Sequence, residues 1–326
     1  MNRAKFEKEK KNIKLLFQYF LCYGIKLGFW TLTDGVSYRL GIEKIYKFAD
    51  QKRYGTCKEY LRKNYSKVIM KYKNVDYTML NDKISEDSDI WLFWWQGENN
   101  FPYPINLCVE SIRKHAGKHK VVLITKENYK QYVNLPGYII KKFEMGIISV
   151  ASFSDILRFE LLYKYGGIWL DSTYFFTGEL SKEIYNNNFY SISNPNGRNW
   201  VITKDIWSIS FMAMTKKHII ASYMCDFYKE YWKKENVNIA YLLSDCFISI
   251  AYEDIPTFKK IIDSVPANNV GVFDLLGPIR NKLCTQSDFV KLMGNTYIHK
   301  LTYKEKYVAE VSGKKTYFGR LIEYKN

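Results

Sequence analysis

The chain has 326 residues, of which 47% are hydrophobic and 17% are aromatic, so it has enough apolar material for a large folded core and is not a disordered chain. Forty-nine Lys and Arg residues against 33 Asp and Glu give a formal net charge of +16, which favours an anionic partner such as nucleic acid, an anionic membrane or a phosphate-bearing substrate. The six cysteines are scattered without a C-x-x-C pair. With no signal-peptide pattern at the start, they favour reduced thiols in the cytoplasm over a zinc site or disulfide framework.

Residues 1–88 are predicted to form a basic, aromatic-rich helical segment. Within it, the stretch from Lys14 to Trp30 is strongly apolar but is interrupted by Gln18, Gly24 and Lys26. It is too short and too interrupted for a confident membrane span. It fits either an interfacial helix on the anionic inner face of the cell membrane, or a helix packed on the body of the protein.

The pattern changes to alternating strands and helices after a polar linker. Basic helix is predicted from Lys44 to Lys73, and the linker from Asn81 to Asp89, so a second domain would span residues 89–326. The predicted elements that follow are a buried strand Ile90–Trp95, a helix ending near His115, a strand Lys120–Thr125, a short helix Glu127–Val133 and a strand Tyr138–Ile140. This succession indicates an α/β fold.

The next stretch predicts a helix, a glycine turn and a buried strand that ends in an acid. Ser152 and Asp155 resemble a capping box, and Asp155 and Arg158 share one helix face. Gly166 and Gly167 end the helix, Ile168 to Leu170 form the strand, and Asp171 follows it. Ligands of α/β sheets bind at the carboxyl ends of strands, although the same pattern also fits a surface ion pair in ordinary architecture.

The run FSDILRFELLYKYGGIWLDST resembles the signature of the bacterial capsular polysaccharide synthesis glycosyltransferases. These belong to a wider group of sugar transferases with a DXD motif that includes the glucosylating bacterial toxins. The matching residues are Ser154, Asp155, Arg158, Tyr165, Gly166, Gly167, Trp169 and Asp171. The chain departs at Thr173, which stands in place of the second Asp. The resemblance is good from Asp89 to Thr177 and weaker towards the C-terminus.

The resemblance implies a GT-A-type nucleotide-sugar-binding fold with a mixed central sheet. The implied activity is retaining transfer of a hexose from a nucleotide sugar, with UDP-sugar as the first expectation. The acceptor would be a saccharide, expected to be a lipid-linked capsular or exopolysaccharide repeat unit. The aromatic-basic run Lys14–Trp30 and the net charge of +16, and not the resemblance, motivate the expected location, which is cytoplasmic and peripheral on the inner face of the cell membrane.

The resemblance also implies roles for individual residues. Asp171 would hold Mn²⁺ or Mg²⁺, with Thr173 as a weakened second ligand. Asp155 and Arg158 would bind the sugar and diphosphate of the donor, and Gly167 is placed with these donor-binding residues. Trp94 best matches a residue that stacks on the nucleotide base. Trp95 faces the other way, so one of the two is expected to stack, unless both belong to the core.

The C-terminal part predicts a strand over Ile206–Met214 and helices at His218–Lys234, Asn238–Ala251 and Pro256–Val265. Asp245 is a lone acid in an apolar helical run; it either lines the acceptor side of the cleft as a catalytic residue or is satisfied by capping or pairing. His299 resembles a C-terminal metal ligand, although a lone histidine is also commonly structural. Lys300 or Lys304 could supply positive charge for phosphate.

Two other classes of function remain. A catalytically impaired binding or scaffold subunit of a polysaccharide assembly complex is compatible with the missing second Asp. A nucleic-acid-binding protein would explain the charge and the aromatic residues. However, the charge is spread along the chain and no helix-turn-helix, RNP or zinc pattern occurs, so no nucleic-acid partner is expected.

Overall fold

The computed structural model describes residues 3–75, 82–195, 197 and 200–324. The chain begins with four helices: α1 (Arg3–Tyr23), α2 (Ile25–Arg39), α3 (Glu43–Asn64) and α4 (Ser66–Lys73). Gly24 separates α1 from α2 with a φ of 90°, a backbone conformation that glycine adopts without steric cost. Asn81, the first residue of the predicted linker, lies outside the described residues.

The centre of the molecule is a five-stranded mixed sheet. Its strands are β1 (Ile90–Phe93), β2 (Val121–Ile124), β3 (Gly167–Leu170), β5 (Phe189–Ser191) and β6 (Phe211–Met214), in the order β2-β1-β3-β6-β5. β1 pairs in parallel with both β2 and β3, while β6 runs antiparallel to β3 and to β5. The carboxyl ends of β1, β2 and β3 therefore meet at one edge of the sheet.

Helices cover this sheet and connect its strands. They are α5 (Ile105–Lys114), α6 (Tyr129–Tyr132), α7 (Gly137–Glu144), α8 (Val150–Tyr165), α9 (Ile219–Lys234), α10 (Leu243–Asp254), α11 (Pro256–Asp263), α12 (Gln286–Asn295) and α13 (Tyr317–Glu323). Two small antiparallel pairs complete the fold: β4 (Tyr174–Phe176) with β7 (Ile298–Lys300), and β8 (Glu310–Val311) with β9 (Lys314–Lys315). The prediction of an α/β fold with a mixed sheet and N-terminal helices is confirmed.

Several local predictions differ from the structure. The strand predicted over Ile90–Trp95 ends at Phe93, and the helix predicted over Asn238–Ala251 begins at Leu243. The segment Tyr138–Ile140 was predicted as a strand but lies in helix α7, with Ile139 on its buried face. The prediction is wrong because a short apolar run does not distinguish a strand from a helix. Of the predicted strand Ile206–Met214, residues 211–214 form β6. The helix that carries Asp155 begins earlier than predicted, because Ser149 caps it by accepting a hydrogen bond from the Ser152 amide at 3.1 Å.

The N-terminal helices pack directly on the C-terminal half. Tyr23 and Leu27 are buried in the same apolar core as the central sheet, and the Tyr23 hydroxyl bonds that of Tyr231 at 3.0 Å. Ion pairs reinforce the contact, such as Arg62 Nε with Asp254 Oδ2 at 2.7 Å. One face of the predicted aromatic-basic stretch is thus packed on the protein body.

Candidate active site

A cavity of about 470 Å³ opens at the edge of the sheet where β1 and β3 end. Trp94 and Trp95 follow β1 directly and Asp171 follows β3 directly, and all three line the cavity. The Ser172 hydroxyl donates to the carbonyl of Phe93 at 2.9 Å and ties the two strand ends together. The cavity volume falls within the range of ligand pockets.

The double glycine turns the chain from α8 into β3 and lets its backbone approach the residues next to β1 and β6 closely. Gly166 and Gly167 have φ values of 71° and 95°, and a Cβ on Gly167 would lie 2.4 Å from the carbonyl oxygen of Asp89. Gly167 lies at the amino end of β3, about 13 Å along the strand from Asp171. The structure therefore does not bring Gly167 to the cavity. A glycine is needed at this position because of the positive φ and the close approach of the Asp89 carbonyl.

The centre of the site is a chain of alternating charges. Arg158, whose side chain is 4% exposed, donates to Asp155 at 2.5 Å and to Asp171 Oδ1 at 3.2 Å. Lys300, from β7, donates to Asp171 Oδ2 at 2.6 Å. The Arg158 guanidinium also lies 4.7 Å from the centre of the Trp169 ring, a cation–π contact that fixes its position.

Burial and these neighbours shift the acids in opposite directions. Burial raises the pKa of Asp155, although Arg158 opposes the shift. Burial also acts to raise the pKa of Asp171, but Lys300 and Arg158 outweigh it and hold this pKa below its ordinary value. The two shifts differ in direction because Asp171 contacts two cations and Asp155 contacts one.

The two tryptophans differ in their surroundings. The Trp95 ring is enclosed by the rings of Phe143, Phe153 and Tyr129, with centroid distances of 4.9, 5.7 and 5.6 Å. Trp94 lies against Tyr303, which also lines the cavity, and its indole N–H donates to the carbonyl of Asn100 at 3.2 Å. Trp95 therefore contributes more to the core, and Trp94 is better placed to meet a ligand.

A second cavity, of about 420 Å³, adjoins the first, and Asp171, Ile209, Tyr241 and Leu242 line both. Lys300 and Asp245 belong to the second cavity, together with Trp200 and Trp207. The Trp207 indole N–H donates to Asp245 Oδ1 at 2.9 Å, and burial raises the pKa of Asp245 to about 7. Asp245 is thus paired with Trp207 and also lines a cavity, and its catalytic role on the acceptor side remains a prediction.

His299 is placed away from both cavities. Successive side chains of a strand point to opposite faces, so the side chains of His299 and Lys300 lie on opposite faces of β7. His299 is buried, and its partner in the pairing of β7 with β4 is the buried residue Phe175. Neither ring nitrogen has a hydrogen-bond partner among the described residues, and burial lowers the pKa of His299 to about 3. The expected metal-ligand role of His299 has no support in this geometry.

The residues present do not fit a divalent cation. Mg²⁺ and Mn²⁺ require several hard oxygen ligands, commonly including one or two carboxylates. Both oxygens of Asp171 are already bonded to protein cations, and Thr173 offers a hydroxyl that is buried and unpartnered within the described part of the chain. In that same part, no group of three or more His, Cys, Asp or Glu side chains is arranged to hold a metal ion.

Sequence reasoning missed several residues that complete the site. Trp169 donates its indole N–H to Asp171 Oδ1 at 3.1 Å, and it was available within the signature run. Tyr174 shares a hydroxyl contact of 2.7 Å with Ser210 and supports Lys300, whose ammonium lies 4.4 Å from the Tyr174 ring centre. Ser210, Tyr241 and Tyr303 carried no sequence signal, because separate loops bring them to the cavities.

Three comparisons with known proteins place this geometry in context. A search of curated proteins finds no match. A solved structure, PaToxG glycosyltransferase, aligns with 18% identity and a TM-score of 0.39, covering 64% of this chain and 83% of its own, a likeness too distant to support an argument. The family model described as capsular polysaccharide synthesis protein matches residues 39–321, a span that includes the charge chain, both tryptophans and both cavities. The chain therefore belongs to the capsular polysaccharide synthesis protein family.

Proposed function

We propose that the chain is a glycosyltransferase on a GT-A-type fold, which moves a hexose from a nucleotide sugar, with UDP-hexose as the first candidate, to a saccharide acceptor. The observation that supports it most is Asp171, held between Arg158 and Lys300 on the wall shared by two cavities. Family membership supports a role in capsule synthesis. The acceptor proposed is a lipid-linked capsular or exopolysaccharide repeat unit.

In this proposal the first cavity binds the donor. Trp94 stacks on the base, which offers a π-face whatever its identity. Arg158 also lines this cavity, and its planar guanidinium suits pairs of phosphate or sugar oxygens. Asp155 holds Arg158 from the other side and fixes its orientation.

The second cavity binds the acceptor. Its aromatic walls, Trp200 and Trp207, offer apolar faces to sugar rings. Because burial raises the pKa of Asp245 to about 7, its carboxyl can be protonated or ionised near neutral pH. It can therefore donate a hydrogen bond to a hydroxyl of the acceptor sugar or accept one from it. The shared wall at Asp171 brings donor and acceptor to one point, which supplies proximity.

The reaction proposed is retaining. The bond between the anomeric carbon and the diphosphate oxygen breaks, and its electron pair stays on the diphosphate. The acceptor oxygen bonds to the anomeric carbon on the same face, and its proton passes to the departing diphosphate oxygen. The chain contributes by stabilising the charge that develops on the diphosphate.

Donor turnover tests this proposal against a catalytically impaired binding subunit. Purified protein is incubated with UDP-, GDP- and CDP-hexoses, and free nucleoside diphosphate is measured. We expect slow hydrolysis of one donor, faster release with a saccharide acceptor, and an unchanged anomeric configuration by NMR. Binding of a donor without release under any condition would favour the impaired subunit.

We also propose that α1 and α2 attach the protein to an anionic membrane surface. Within each helix, exposed apolar side chains recur at steps of three or four residues: Ile13, Phe17 and Leu21 in α1, and Ile25, Phe29, Leu32 and Val36 in α2. Exposed basic residues flank them, including Lys14, Lys26 and Arg39. No helix in the described residues is long and apolar enough to cross a bilayer.

The membrane proposal is tested with vesicles. Because Tyr23 and Leu27 are buried, deleting the segment would damage the core, so a point substitution is preferable. We expect Leu21→Glu to abolish binding to phosphatidylglycerol vesicles, and salt near 1 M, where the Debye length is about 3 Å, to weaken wild-type binding. Val290→Glu, at an exposed apolar residue of α12, is the matched control. Wild-type protein that ignores these vesicles at low salt would refute the attachment.

A further inference from the structure

Both oxygens of the Asp171 carboxylate are bonded to groups of the protein itself. Oδ2 accepts from the Lys300 ammonium at 2.6 Å, and Oδ1 accepts from Arg158 at 3.2 Å and from the Trp169 indole at 3.1 Å. The Lys300 side chain is 13% exposed and its backbone is fixed by pairing with Tyr174. The ammonium is therefore a fixed part of the site.

A divalent cation at Asp171 would compete with this ammonium for the same carboxylate. Two positive centres a few ångströms apart in a largely desolvated site repel one another strongly. The residue that could have added a second carboxylate is Thr173, which lines the first cavity and whose buried hydroxyl has no partner among the described residues. The donor set suits phosphate oxygens better than a metal ion, since it combines two cations with a free hydroxyl.

We propose that the positive charges of Lys300 and Arg158 replace the divalent cation. The site then binds a nucleoside diphosphate, and stabilises it as the leaving group, without metal. This inference rests on the proposed glycosyltransferase function and specifies how that function is achieved. Lys300 is a positioning and charge-stabilising group here, and it transfers no proton.

The geometry accounts for each part of this role. The Lys300 ammonium has three N–H groups. Among the described residues its hydrogen-bond acceptor is Asp171, so the remaining N–H groups can donate to phosphate oxygens. Arg158 approaches from the first cavity and Lys300 from the second, so a diphosphate at the shared wall meets both. Asp171 keeps the two cations in place before the ligand arrives, and the Thr173 hydroxyl can donate to the same phosphate.

Calorimetry of nucleoside diphosphate binding tests the inference directly. UDP, GDP and CDP are titrated into full-length protein in EDTA, and again in Mn²⁺ and in Mg²⁺. We expect the tightest of the three to bind in EDTA with an affinity within about threefold of that with metal. Lys300→Met should weaken binding about tenfold to a hundredfold, the range for hydrogen bonds to charged groups. Lys314→Met, at an exposed lysine of β9, is the matched control and should leave binding unchanged.

A double variant sharpens the test. Lys300→Met with Thr173→Asp removes the competing ammonium and adds a second carboxylate, so we expect it to bind the diphosphate only when Mn²⁺ or Mg²⁺ is present. Circular dichroism confirms folding, and if a variant does not fold, the comparison of EDTA with metal on the wild type decides.

The outcomes separate the inference from the proposed function. Wild-type binding that is lost in EDTA and restored by Mn²⁺ would overturn the inference and leave the glycosyltransferase function standing. Lys300→Met with unchanged affinity in EDTA would overturn the inference as well. No binding of any of the three nucleotides, with or without metal, would overturn both.

Discussion

Among the residues that the structure describes, two clusters place an arginine between two aspartates and beside an aromatic ring. In the first, Arg53 contacts Asp50 at 2.6 Å and Asp34 at 3.1 Å, and its guanidinium lies 4.4 Å from the Tyr54 ring centre. In the second, Arg158 contacts Asp155 and Asp171, and lies over Trp169. Both arginines are largely buried, so burial and local geometry alone do not distinguish them.

The two clusters differ in what surrounds them. The Arg53 cluster is built by α2 and α3, which are consecutive helices, and it lines neither cavity. The Arg158 cluster adds a second cation, Lys300, from 129 residues beyond Asp171, and it forms a wall between two cavities. A buried arginine with two acids is thus a structural element in one place and a candidate site in the other, and the cavity with its extra cation makes the difference.

The largest expected effect comes from the acid that the two cations share. Asp171→Asn keeps the shape but removes the negative charge that positions Arg158 and Lys300, so donor turnover should fall roughly a thousandfold, or about 4 kcal/mol. The matched change Asp50→Asn in the Arg53 cluster should leave turnover within about twofold. Turnover is measured well below the melting temperature, because each variant leaves buried charge without a partner and lowers stability. Wild-type turnover in Asp171→Asn would remove the case for this site.

Substituting each arginine by lysine tests the same contrast more gently. Lysine keeps the charge but loses the planar fork, so Arg158→Lys should lower donor turnover about tenfold to a hundredfold. Arg53→Lys should lower the melting temperature and leave turnover unchanged. Equal losses of turnover in the two variants would show that the clusters do not differ in function.

The tryptophans after β1 extend the comparison to binding and stability. Trp94→Ala should weaken nucleotide binding by about 1–3 kcal/mol, the range for stacking on a base. Trp95→Ala should chiefly lower the melting temperature, because it removes a ring packed among Phe143, Phe153 and Tyr129. Calorimetry and thermal denaturation of both variants distinguish these roles, and unchanged nucleotide affinity in both would exclude stacking.

The smallest expected effect is a difference in pH dependence between Asp245 and Asp171. The pKa of Asp245 rises from 3.8 to about 7 on folding, so the folded protein holds a proton that the unfolded chain releases. Its contribution to stability is complete below pH 3.8 and is lost as pH rises to about 7. The melting temperature of wild type relative to Asp245→Asn should therefore fall across this interval.

Asp171 should show the opposite sign. Its pKa is lowered, so its contribution is present above its ordinary value and is lost as the solution is acidified through the lowered pKa. The melting temperature of wild type relative to Asp171→Asn should rise with pH in the acid range. Two variants with the same slope would contradict the assigned environments.

The sequence by itself determined those features that depend on neighbouring residues. The β1 and β3 strands, the helix with Asp155 and Arg158 on one face, and the acid at the end of β3 all follow from local periodicity and from the glycine turn. Local residues do not determine where the helix with Asp155 begins, because Ser149 and Ser152 both suit an N-terminal cap. They also do not determine whether Tyr138–Ile140 is a strand or a helix, because the apolar run is too short. The expected domain division at residues 88 and 89 remains a prediction.

Only the tertiary structure decided which distant residues meet. Lys300 and His299 are neighbours in sequence, yet strand alternation directs Lys300 to Asp171 and His299 into the core. The pairing of β7 with β4 sets that alternation, and no local pattern contains it. The same holds for Trp207 beside Asp245, and for the outer face of α1 and α2, because a side chain's partner depends on how the chain returns to the site and not on its own neighbours.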